Sequence, residues 1–174
     1  MPLLYTAEDA KKLVISAKFP PVGQRGFGSP FPMERFVPSL GSSDYLKQAN
    51  EALLTMVQIE TKEALENVDA IAAVAGIDLL FIGPFDLGNN IGHPIMGGNM
   101  HDNLHVAIEK ILKAAKAAGK KAGIFCTSGK QSKKYADMVR IQLSIESHLC
   151  NQNVGDRIFF PVTDSFSRDS TWSV

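Results

Sequence analysis

Two carboxylates, Glu60 and Asp86, are the side chains best placed for chemistry. Each follows a short apolar run, residues 53–59 and 78–82, that reads as a buried strand. Neighbouring parallel strands lie about 4.8 Å apart. Acids at matching heights on adjacent strand ends can therefore share one small cation. Carboxylate oxygens suit a hard cation such as Mg2+ or Mn2+, which keeps coordination positions open for a substrate. Neither strand end carries a thiolate or imidazole, which disfavours zinc. The plainer reading is that each acid stabilises the start of the helix after it, where negative charge is favoured. Spacing alone leaves both readings open.

Other residues could join them. Gln58 lies two residues before Glu60, so both point to one face of the strand. It can bond a substrate oxygen, or it can be a polar residue of the core. In Gly83-Pro84-Phe85-Asp86 a tight turn can present backbone N–H groups to an anion such as a carboxylate, or it can simply connect strand to loop. Arg25, in Gly23-Gln-Arg-Gly-Phe-Gly28, can reach a substrate carboxylate or a partner subunit, but a loop or interface arginine is the favoured reading. That run is no phosphate fingerprint, because it neither follows a strand nor opens a helix. His101 and His105 have the i, i+4 spacing of metal ligands. The surrounding His-Asp-Asn-Leu-His lacks the glutamate of a metalloprotease motif, so His93, His101 and His105 read as surface or capping residues. No G-x-S-x-G nucleophile elbow is present.

The elements that must position these groups alternate. Residues 1–5 form a short strand-like run. Thr6 with Asp9 forms a capping pair for a helix to Lys18. Residues 19–41 hold five prolines and four glycines and read as loop. A helix follows to Ala52, with Ser42-Ser43-Asp44 as its cap. The strand 53–59, a helix over 61–74 closed by Gly76, and the strand 78–82 come next. A Gly- and Asn-rich loop then runs to Met100. Residues 101–118 form an amphipathic helix closed by Gly119, residues 122–125 a third strand, and residues 128–138 a helix capped by Ser128. Such alternation implies βαβ units and a parallel sheet, with active-site groups at the C-terminal strand ends. After Met138 the pattern stops. Residues 139–174 carry six serines, one strand-like run at 157–162, and a tail that reads as frayed.

The bulk numbers fit one globular domain of 174 residues, 45% hydrophobic and 21% charged. Lysine plus arginine and aspartate plus glutamate balance at 18 each, which argues against a nucleic-acid partner or a membrane surface. No run reaches the length of a membrane span, and no signal peptide is visible. Cys126 and Cys150 form no disulfide or ligand pattern. The cytoplasm is the expected compartment.

Three stretches carry a resemblance: Val57-Gln-Ile-Glu-Thr61, the run from Asn67 to Asp78, and Leu80-Phe-Ile-Gly-Pro-Phe-Asp-Leu87. Together with Pro20-Pro-Val-Gly-Gln-Arg-Gly-Phe-Gly28 they resemble the HpcH/HpaI aldolase family, which includes 4-hydroxy-2-oxoheptanedioate and 2-dehydro-3-deoxyglucarate aldolases and a fungal macrophomate synthase. The resemblance covers residues 1–138 and implies an α/β fold, roughly the C-terminal half of a (β/α)8 TIM barrel of the phosphoenolpyruvate/pyruvate type. Residues 139–174 form a divergent C-terminal segment. The implied activity is that of a class II pyruvate aldolase, an aldehyde-lyase that makes or breaks 2-oxo acid aldols through a pyruvate enolate. It further implies a divalent cation (Mg2+, Mn2+ or Co2+) on Glu60 and Asp86, with Gln58, Phe85 and Asp86 contacting pyruvate, and an aldehyde as second substrate. The family's catalytic histidine and enolate-binding arginine belong to strands that would precede Met1, so no catalytic residue is assigned. A homo-oligomer of the family's kind would need a C-terminal helix that residues 139–174 do not show. An open half barrel exposes strand edges, so marginal stability is expected. The alternative is a catalytically inactive fragment that acts at most as an interaction module.

Overall fold

The computed structural model describes residues 1–28, 41–139 and 157–159. The chain divides into two compact units, Met1–Ala122 and Gly123–Val174.

In the first unit, helix α1 (Ala7–Ala17) begins with the predicted capping box. Asp9 N–H donates to Thr6 Oγ1 at 3.2 Å, and Thr6 N–H donates to Asp9 Oδ2 at 3.0 Å. The bond from the Thr6 hydroxyl holds the Asp9 carboxyl below its usual pKa. Helix α2 (Ser42–Ala52) starts three residues earlier than expected, at a Gly41 cap without a side-chain bond, so Ser42, Ser43 and Asp44 lie inside its first turn. Its C-terminal carbonyls are met by a buried lysine. Lys18 Nζ donates to Asn50 O at 2.5 Å and to Leu53 O at 3.1 Å, where a cation is favoured.

Strand β1 (Met56–Ile59) is shorter than the apolar run suggests. Leu53 is taken up by the end of α2, and Thr55 is tied to Asp78: Thr55 N–H donates to Asp78 Oδ2 at 2.6 Å. Strand β2 (Leu79–Ile82) pairs parallel with β1, with Met56 opposite Leu79 and Ile59 opposite Ile82. Val57, Ile59, Leu80 and Ile82 are fully buried and form the middle of the core. The single helix expected over 61–74 is two short ones, α3 (Lys62–Glu66) and α4 (Val68–Ala72). They break at Asn67, whose side-chain amide donates to Tyr5 O at 3.3 Å. Gly76 does turn the chain after α4, at φ 88°; a Cβ there would also sit 2.5 Å from Val14 Cγ1, so α1 packs where only glycine fits.

The loop expected after Gly83 begins instead as helix α5 (Pro84–Asn90), because proline at the first helical position supplies the right φ and needs no N–H bond. Helix α6 (Asp102–Ala117) buries Leu104, Ala107, Ile108, Ile111, Ala114 and Ala115 along one face, as its spacing predicts. Residues 1–5 form no regular strand, yet they are bonded alongside β1. The Met1 ammonium donates to Met56 O at 2.7 Å, and Gln58 N–H donates to Met1 O at 2.8 Å.

Strand β3 (Lys121–Cys126) crosses the unit boundary. In the second unit it is followed by α7 (Gly129–Val139), where Gln131 N–H donates to Ser128 Oγ at 3.3 Å. Strand β4 (Arg157–Phe159) runs antiparallel to β3, Ile124 opposite Phe159, outside the parallel pattern of β1 and β2. Cys126 is a buried free thiol whose pKa burial pushes up. Cys150 and most of residues 139–174 lie outside the described residues.

Candidate active site

The β1–β2 register sets the geometry. Ile59 lies opposite Ile82, and Gly83 N–H donates to Ile59 O at 3.3 Å, so the residue level with Glu60 is Gly83. Glu60 is only 2% exposed. Its Oε1 accepts from Leu3 N–H at 2.7 Å, and its Oε2 accepts from Gln58 Nε2 at 2.5 Å. The shared face of Gln58 and Glu60, read from their two-residue spacing, is thus a direct contact. Gly83 makes room for it: a Cβ there would lie 2.7 Å from Gln58 Nε2 and 2.8 Å from Glu60 Oε2.

Glu60 does not cap the helix that follows it. That role belongs to Thr61, whose hydroxyl accepts from Ala64 N–H at 3.0 Å. Among the described residues no lysine, arginine or histidine forms an ion pair with Glu60. The Met1 ammonium feels its charge: that pKa is lowered by burial and raised in part by Glu60. A buried carboxylate held by two neutral donors is short of positive charge.

Asp86 is displaced from the expected strand end. It stands three residues past the level of Glu60, in the first turn of α5, where the helix dipole favours an acid. Its carboxylate is exposed and, among the described residues, makes no hydrogen bond or ion pair. Phe85 precedes it and is 43% exposed. The donor set therefore fits a hard divalent cation: one carboxylate rooted at the end of β1, a second free one on the next βα turn, and oxygen atoms only. No three His, Cys, Asp or Glu side chains cluster among the described residues.

The other candidates lie in local structures of their own. Arg25 stacks over the Phe19 ring at 4.6 Å and reaches the Tyr45 hydroxyl at 3.5 Å, in a cluster with Phe27. His101 caps α6, accepting from Asn103 N–H at Nδ1 at 3.1 Å, and its ring stacks on His93 at 4.1 Å. Sequence reasoning missed Leu3, an aliphatic side chain whose contribution is its backbone amide. Gly83 was noticed only as a turn, although its place opposite the strand-end acid marks a close approach.

Residues 1–151 match the family model described as HpcH/HpaI aldolase/citrate lyase. The chain belongs to that family. Among relatives of this HpcH/HpaI chain, hydroxypyruvate/pyruvate aldolase of Chromohalobacter salexigens is 38% identical over 136 residues, covering 78% of this chain and 52% of the relative. The 2-keto-3-deoxy-L-rhamnonate aldolase of Salmonella paratyphi B is 40% identical over 134 residues, covering 77% and 49%. The crystal structure of an HpcH/HpaI aldolase from Desulfitobacterium hafniense superimposes with a TM-score of 0.69 at 31% identity, over 80% of this chain and 52% of that one. The chain spans about half the length of the curated relatives it matches. Among the described residues no helix is long and apolar enough to cross a membrane.

Proposed function

We propose that the chain carries the metal and 2-oxo acid site of a divalent-metal-dependent aldolase that cleaves or forms 2-oxo acid aldols through a pyruvate enolate. In this reading residues 1–138 are part of a (β/α)8 barrel and residues 139–174 a divergent addition. The observation that carries it is Glu60: a buried carboxylate at a strand end, aligned by two donors, packed against Gly83 and, among the described residues, without a paired cation. The relatives named as aldolases of hydroxypyruvate and of a 2-keto sugar acid point to the same substrate class.

Glu60 and Asp86 would hold the cation, Mg2+ or Mn2+ by the hardness of their oxygens. When bound, the cation supplies Lewis-acid stabilisation of negative charge on the 2-oxo acid. The chain's own groups bind and orient. Gln58, fixed by its amide on Glu60, turns its remaining hydrogen-bonding capacity to the keto acid. The opening turn of α5 at Phe85 and Asp86 receives the pyruvate carboxylate, which the positive end of a helix favours. Proton transfer is assigned to no residue of this chain.

Calorimetric titration with Mn2+, with and without pyruvate, tests the reading on the wild type and on Glu60→Ala. Binding that tightens with pyruvate and disappears in the variant supports it. Absence of binding in the folded wild type sinks it. Binding without turnover of a pyruvate-derived aldol identifies an inherited site on a chain that no longer catalyses alone.

A further inference from the structure

Among the described residues Leu3 alone combines a side chain with a left-handed backbone, at φ 50°. Only glycine adopts that region without cost, and a strained residue persists where its surroundings force it. Here they do. On one side the Met1 ammonium and carbonyl are bonded to Met56 O and Gln58 N–H. On the other, Leu4 is fully buried and its carbonyl accepts from Thr61 Oγ1 at 3.1 Å, while Tyr5 O accepts from Asn67 Nδ2 at 3.3 Å. The Leu3 side chain itself is 58% exposed, so its own packing does not select the conformation. What the conformation achieves is the direction of the amide, which lies 2.7 Å from Glu60 Oε1.

A glutamate's terminal torsion is broad and sets no orientation by itself. Two donors fix it here, one on each oxygen: Leu3 N–H on Oε1 and Gln58 Nε2 on Oε2. A carboxylate offers about four lone-pair positions, so each oxygen keeps one for a cation. We infer that Leu3 is a positioning residue for Glu60: the strained 1–5 segment aims its amide at Oε1 and holds the carboxylate in the one orientation from which it can ligate a divalent cation. The inference rests on the metal reading of Glu60 proposed above.

The test compares Mn2+ affinity and thermal midpoint in the full chain. Leu3→Pro lacks the N–H and its ring fixes φ near about −65°, so the donor is lost. The expected result is Mn2+ binding weakened about 10- to 100-fold, the usual effect of removing a group that orients a ligand. Leu3→Gly keeps the amide and suits the left-handed backbone; it is the conservative rescue, binding Mn2+ within about threefold of wild type and melting no lower. If Leu3→Pro does not fold, a chain carrying an ester in place of the amide between Pro2 and Leu3 removes the donor with little change of shape. Equal Mn2+ affinity in the wild type and in the folded proline or ester chain overturns the positioning role and leaves the metal reading intact. A wild type that binds no Mn2+ overturns both.

Discussion

Replacing Gly83 with alanine probes the candidate site at its tightest point. The backbone accepts a side chain there, since φ is −95°. The obstacle is steric. The new Cβ would lie 2.7 Å from Gln58 Nε2, 2.8 Å from Glu60 Oε2 and 3.1 Å from Glu60 Cβ. Ordinary carbon contacts lie near 3.5–4.0 Å, so each approach is short by roughly 0.5–1 Å. Gln58 is an arm that can swing aside, but doing so breaks its bond to Glu60. Glu60 cannot follow, because its Cβ is anchored at the end of β1 and its Oε1 is held by Leu3. Overpacking of this kind costs about 1–3 kcal/mol, and the lost charge-assisted bond places Gly83→Ala near the upper end. Urea denaturation measures that cost, and Mn2+ calorimetry measures the displaced carboxylate, expected to bind about tenfold more weakly. Gly88→Ala is the comparison: its Cβ would lie 2.8 Å from His93 O and 3.3 Å from Leu104 Cδ2, so it loses stability away from Glu60. If Gly83→Ala stays within about 0.5 kcal/mol of wild type, as surface substitutions do, and keeps its Mn2+ affinity, the packing of Glu60 against Gly83 is wrong. A stability loss with unchanged affinity would show a packed carboxylate that ligates nothing.

Two further predictions concern burial. Among the described residues the Thr55 hydroxyl is buried without a partner; Thr55→Val is expected to stabilise the chain by about 1 kcal/mol, and a lower urea midpoint would contradict that. Burial, and secondarily Cys126, pushes the Tyr135 phenol up from 10.0 to about 12. A folded-state pKa above the unfolded one gives stability that is present below about 10 and drains away as pH rises toward about 12. Tyr135→Phe should flatten that alkaline decline, and an unchanged decline would exclude Tyr135 as its source.

What the sequence made legible follows from how local each signal is. Thr6 and Asp9 mark the start of α1 because both halves of the capping box lie within one turn. The buried face of α6 repeats often enough to be unmistakable. Gln58 and Glu60 share a face because strand period is strict. Signals set by distant partners were lost. The break at Asn67 accompanies a bond to Tyr5. Residues 53–55 look like strand but are claimed by α2 and Asp78. Asp86 reads as a strand-end acid, although proline at the first helical position draws it into a helix. Leu3 gives no signal at all, since a left-handed leucine is imposed by bonds to residues more than 50 positions away.

The junction between Phe19 and Asn50 has a consequence for change over time. Phe19 N–H donates to Asn50 Oδ1 at 2.7 Å, and Asn50 Nδ2 donates back to Phe19 O at 3.0 Å, with Lys18 sealing the carbonyls beside them. One asparagine thus reads the chain as a paired strand would and ties the end of α1 to the end of α2. The residues just after Phe19 are bonded back to α1 as well, Gln24 N–H to Ile15 O at 2.7 Å and Arg25 N–H to Lys18 O at 2.9 Å, so the end of α1 is held from two sides. An asparagine-to-aspartate change at position 50, which deamidation produces spontaneously, would lose the returning donor and loosen the hold on Phe19, a residue of the buried core.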